Sequence, residues 1–177
     1  MSNYEMCMTD EEFIRYNSYL RKMSKINPKF ILDKTFSVSD EDIEKGKSLI
    51  NEIENLAKDI KKAKTPKERN AINREKGKKL EELAGVMFNS AGLYSERNNL
   101  RDHTNEIDLL LIADDYNKLH KTILPEYLQN DILIECKNYN KTIKVDWVGK
   151  FFSLLTTHDG ELGIIFSFDS FSGPGEW

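Results

Sequence analysis

Two apolar runs of strand length, 106–113 and 131–137, carry charges where a buried strand has little room for them. Asp108 stands between Ile107 and Leu109-Leu110-Leu111, and Glu135 and Lys137 close the run Ile132-Leu133-Ile134. Burying a lone carboxylate or ammonium is costly, so each needs a partner, a metal or an edge position. Side chains alternate along a strand, so Glu135 and Lys137 share one face and Cys136 points to the other. If the two strands lie side by side, Asp108 and Glu135 converge at one end of a sheet. Two close carboxylates repel, and a divalent cation resolves the repulsion. Hard oxygen ligands with positions left for water and phosphate suit Mg²⁺ or Mn²⁺. A lysine beside such a site can position water or offset charge on a phosphate. Taken singly, Asp108 also fits a surface strand start, and Glu135 with Lys137 a salt bridge at a strand end. The combination, with an acid on a preceding helix, is far rarer than either part.

The rest of the chain supplies the elements around these strands. Thr9-Asp10-Glu11-Glu12 fits a capping box for a helix to about Lys22, which Pro28 and the stretch after it should break. Phe13, Tyr16 and Tyr19 at helical spacing are expected to pack in a core. Ser39 caps a second helix over 40–63, with Ile43, Ile50, Ile53, Ala57 and Ile60 as its stripe, widened by Leu49 and Leu56. Thr65-Pro66-Lys67-Glu68 restarts the chain as a helix to about Ala91, with Gly92 as its stop. Its apolar face is Leu80, Leu83, Ala84, Met87, Phe88 and Ala91. Residues 40–91 thus read as a helical hairpin whose second arm enters the main domain. After Gly92 the period changes. A short strand over 93–97 precedes the two charged ones, and residues 114–130 form a long connection. A helix follows over 145–157, with Val145, Val148, Phe151, Phe152 and Leu155 on one face, and then a last strand over 162–168. The order implies an α/β sandwich with a mixed sheet. The expected division is an N-terminal helical appendage, 1–64, and a main domain, 65–177.

The net charge of −4 disfavours a protein that coats nucleic acid by bulk charge, but the charge is uneven. Residues 58–82 hold ten Lys or Arg against five acids, and 137–150 hold four lysines against Asp146. Two basic segments on an acidic chain suit either a phosphate-facing surface or solvated helix faces. No apolar run is long enough to span a membrane, so no membrane partner is expected. Cys7 and Cys136 lie far apart without CxxC spacing, which disfavours disulfides and a zinc site and suits a reducing cytoplasm. No Gly-rich phosphate loop and no Gly-x-Ser-x-Gly is present.

Four stretches together resemble the PD-(D/E)xK nuclease superfamily, and within it the Mrr-like restriction endonucleases. They are Leu80-Glu81-Glu82-Leu83-Ala84, Glu106-Ile107-Asp108-Leu109-Leu110, Ile134-Glu135-Cys136-Lys137 and Gly163-Ile164-Ile165-Phe166-Ser167-Phe168. The resemblance covers about residues 74–177. It implies a restriction-endonuclease-like α-β-β-β-α-β core and Mg²⁺-dependent hydrolysis of phosphodiester bonds in DNA. Carried over by position, it makes Asp108 and Glu135 metal ligands, joined by the backbone carbonyl of Cys136. Lys137 orients or activates the water, and Glu81 joins the metal directly or through water. Glu82 is the competing acid; Glu81 is preferred because it follows Leu80. No proline precedes Asp108, and its separation of 27 positions from Glu135 implies an insertion at 114–130. The chain stops at Trp177, where such enzymes begin another helix, so a fragment of a longer protein is an open alternative.

Arg97, Arg101, Lys141, Lys144 and Lys150 are the expected DNA contacts. Trp147, set among the lysines, can stack on a base or sugar or fill a core. His103 could reach phosphate, although a solvated loop is the simpler reading. The leading expectation is an endonuclease of restriction or defence type. A catalytically silent nuclease fold that binds DNA or assembles is the alternative. A third reading has residues 1–75 bind a partner subunit or form a homodimer.

Overall fold

The structure is a computed structural model that describes residues 9–102, 105–113, 124–138 and 143–168. The chain divides into two compact units, 1–37 and 38–177.

The first unit contains α1 (Asp10–Ile26) and α2 (Phe30–Thr35). The Thr9 hydroxyl accepts the Glu12 N–H while the Glu12 carboxylate accepts the Thr9 N–H, which closes the expected capping box. Tyr19 and Phe30 meet edge to face. Two expectations are corrected here. The segment after Pro28 forms a short helix, and α1 buries no residue, so Phe13, Tyr16 and Tyr19 are not core.

The second unit begins with α3 (Asp40–Lys62) and α4 (Pro66–Asn89), capped by Ser39 and by the Thr65–Glu68 box. Gly92, at φ +63, turns the chain out of α4. Then come β1 (Tyr94–Asp102), β2 (Asn105–Ala113), a 3₁₀ turn at Glu126–Leu128, β3 (Ile132–Lys137), α5 (Val145–Thr157) and β4 (Leu162–Ser167). The strands lie in chain order, with β1–β2 and β2–β3 antiparallel and β3–β4 parallel across the α5 crossover. The result is the expected α-β-β-β-α-β order in a mixed sheet.

Helix α4 covers one face of the sheet. Its Ala84 packs with Leu109, Leu111, Ile132 and Ile134, while Leu80 and Leu83 join Leu49 and Ile53 of α3. Helix α5 covers the other face, where Phe151 and Leu154 pack on Ile107 and Leu133. Gly163 lets α5 lie close on β4, since a Cβ there would stand 2.7 Å from the Phe151 ring. The stripes differ from the sequence reading in detail. Leu49, Ile53 and Ile60 are buried on α3, whereas Ile43 and Ile50 are exposed. On α5, Phe151 and Leu154 are buried, but Val145, Val148 and Phe152 face solvent. Met87 of α4 is exposed as well.

Strand β1 runs longer than expected and carries one irregular position. Residues two apart on a strand should share a face, yet Leu109 packs toward α4 while Ile107 packs toward α5. Asp108 lies between them. Opposite it, between the pairs Asn98–Leu109 and Leu100–Ile107, Asn99 has φ +54. Asn tolerates the left-handed region better than most residues, so it suits a strand that turns over at this point. The β2–β3 ladder also ends here, with Leu109–Ile134 as its last pair.

Candidate active site

The departure of β2 from β3 sets the position of Asp108. Its Oδ2 accepts the Cys136 N–H at 2.7 Å, a bond between side chain and backbone beyond the last ladder pair. On β3, Glu135 is buried and Lys137 half-buried, and their side chains form an ion pair through Glu135 Oε1. Glu135 Oε2 is buried with no hydrogen-bond partner among the described residues. A buried carboxylate oxygen in that condition is costly unless something else meets it. The Lys137 ammonium lies 4.6 Å from the centre of the Trp147 ring, and the Lys150 ammonium 4.8 Å.

Cys136 packs toward α4, on the face opposite Glu135 and Lys137. Burial pushes its thiol pKa strongly upward, and the nearby carboxylates of Asp108 and Glu81 push it further. Both carboxylates thus lie within electrostatic reach of Cys136. Glu82, by contrast, is exposed and pairs with Lys45 at 3.4 Å and Lys79 at 3.8 Å. Glu81 also lines a 330 Å³ cavity with Lys45, Lys78, Glu96 and Asn98. Among the described residues, no three His, Cys, Asp or Glu side chains form a compact metal-ligand group. The side chains brought together are thus Asp108 with the Cys136 backbone, and Glu135 with Lys137. Glu81 approaches from the helix side.

The expected DNA contacts scatter more widely. Arg97 is exposed on β1, and Arg101 lies farther along that strand, opposite Glu106. Lys144 precedes α5 and Lys150 lies on it, both exposed. Lys141 and His103 fall outside the described residues, as do 114–123, most of the expected insertion. Most of the basic residues of 58–82 are solvated.

One residue was missed by the sequence reading. Lys76, counted in that basic segment, is only 2% exposed, with its ammonium 5.2 Å from the Phe168 ring. The signal was available: Lys76 lies four residues before Leu80 and seven before Leu83, on the buried stripe of α4. The turn that carries it is tied to the end of β3, because Asn138 Nδ2 donates to Asn73 O at 2.7 Å.

No helix among the described residues is long and apolar enough to cross a membrane. Neither the curated proteins nor the solved structures yield a significant match. A family model does: Mrr_cat, described as restriction endonuclease, matches residues 72–175, from α4 past β4. That span is more than half of the chain and contains Glu81, Asp108, Glu135 and Lys137, and with the observed element order it shows that the chain belongs to the Mrr_cat restriction endonuclease family.

Proposed function

We propose that this chain is a metal-dependent DNA endonuclease of restriction or defence type. The observation that carries the reading is the clustering where β2 and β3 part. There Asp108 is bound to the Cys136 N–H beside the buried Glu135–Lys137 pair, within a restriction endonuclease domain.

The donor set fits Mg²⁺ or Mn²⁺. Glu135 Oε2 is an acceptor left without a hydrogen bond among the described residues, Asp108 would be a second hard oxygen ligand, and the Cys136 side chain points to the opposite face of β3. Asp108, Glu135 and the Cys136 carbonyl would hold the ion, with Glu81 joining directly or through water. A bound cation of this kind lowers the pKa of water and stabilises charge on a phosphate.

The chain's own residues supply the rest. Glu135 holds the Lys137 ammonium at the site through Oε1. Lys137 donates to the attacking water or to a non-bridging oxygen of the scissile phosphate, where negative charge grows. Its ammonium is already held between the Glu135 carboxylate and the Trp147 ring, so little reorientation is needed. Arg97, Arg101, Lys141, Lys144 and Lys150 contact backbone phosphates, which would make binding weaken steeply with salt.

Supercoiled plasmid incubated with the protein and Mg²⁺, Mn²⁺ or EDTA tests the reading. Nicked or linear product with metal and none with EDTA is expected. Equal conversion in EDTA, or none with either metal, would overturn it.

A further inference from the structure

Trp147 sits in the first turn of α5, half-buried, with two lysine ammonium groups beside its ring. One of them is Lys137, which also pairs with the Glu135 carboxylate. We propose that Trp147 is a positioning residue whose indole face seats the Lys137 ammonium in the active site. The inference rests on the reading of Lys137 as the active-site cation.

Lysine has four rotatable side-chain bonds, and at the end of a strand it loses much freedom when held in one pose. A carboxylate alone restrains an ammonium along one direction. An aromatic face adds an attraction from a second direction, through the negative face of its π system. The ring also accepts no conventional hydrogen bond. It therefore restrains the ammonium without taking up an N–H, as a second carboxylate would. That suits a group whose N–H bonds must point at water or phosphate. A second acid would also add charge next to Asp108 and Glu135. Trp147 holds the cation at no such electrostatic cost, and half-burial strengthens the contact relative to open solvent. Lys150 also lies near this ring, at 4.8 Å from its centre, so the indole has two cations as neighbours.

The test combines a spectroscopic signature with single-turnover cleavage on the full chain. In wild-type protein the Lys137 side-chain protons, assigned by their loss in Lys137→Met, should be shifted upfield by the indole ring current. Trp147→Leu should return them to ordinary lysine positions, and Trp147→Phe should keep part of the shift. In cleavage at saturating DNA, Trp147→Leu should be about tenfold slower and Trp147→Phe within about threefold of wild type, in line with a part-buried cation–π contact. Circular dichroism and the melting temperature check that each variant is folded, and Trp147→Phe carries the test if Trp147→Leu is not. A cleaving protein whose Lys137 shift survives Trp147→Leu, or whose folded Trp147→Leu variant cuts at the wild-type rate, overturns this inference alone. A protein that shows the shift but cuts nothing overturns the nuclease reading, and the catalytic role of the seat with it.

Discussion

Asp108 does two jobs at the residue scale, and they can be separated. Its carboxylate closes the gap where β2 leaves β3, and it is a proposed metal ligand. Asp108→Ala should leave the Cys136 N–H without its acceptor and cost about 1–3 kcal/mol of stability as well as abolishing cleavage. Asp108→Asn keeps an oxygen for that N–H but loses the charge. It should melt close to wild type and still fail to cut, as read by denaturant unfolding beside a cleavage assay. That Asp108, Glu135 and Lys137 would each need a partner was legible in the sequence, because a charge inside an apolar run has few structural explanations; the partners themselves, the Cys136 N–H and the Glu135–Lys137 pair, came with the fold. Lys76 was overlooked because its neighbours in sequence are solvated lysines, although its helical position marks it as buried. The seat on Trp147 was not legible, since it depends on how α5 crosses the end of β3.

At the scale of elements, the hairpin of α3 and α4 followed from caps and periodicity, but its buried stripe did not. Ile50 and Ile53 both fit the sequence pattern, and only packing decides between them. Ile53 is fully buried against α4 while Ile50 is 40% exposed. Ile53→Ala should cost about 2–5 kcal/mol, and Ile50→Ala less than about 1 kcal/mol, in chemical denaturation. The same interface has a half-exposed ion pair, Lys79 to Glu52 at 2.9 Å. The hydrogen bond from Lys79, and then that from Ser48, holds the Glu52 pKa below its ordinary 4.5. A depressed carboxylate pKa contributes stability above the unfolded value, and that contribution fades as pH falls through the folded value. The Lys79 pKa is raised, chiefly by its hydrogen bond to Glu52, so its share is present below the unfolded lysine value and fades at high pH. Glu52→Gln should therefore melt slightly below wild type at neutral pH. The difference should close as the pH is lowered past 4.5, as followed by thermal melts across pH.

For the whole molecule, the order helix, three strands, helix, strand was legible because the hydrophobic period changes at Gly92 and each run has strand or helix length. The turn-over at Asn99 and Asp108 was not, since a positive φ at Asn and a face switch arise only once β1 and β2 pair. Domain organisation is open to direct test. Residues 38–177 form one compact unit, and α3 contributes Leu49 and Ile53 to the core on α4. A chain starting at Val38 should fold and melt as this unit does in the full protein. One starting at Thr65 would expose Leu80 and Leu83 and should be markedly less stable or aggregate, by calorimetry and light scattering. Equal stability of the two would mean that α3 is an accessory to the nuclease domain. Whether Asp108, Glu135 and Lys137 act as one chemical site is decided by metal-dependent plasmid cleavage with wild type, Asp108→Asn and Lys137→Ala side by side. Wild type should cleave in Mg²⁺ or Mn²⁺, and neither folded variant should. Cleavage by folded Asp108→Asn or Lys137→Ala at the wild-type rate would show that the three residues are not a catalytic unit.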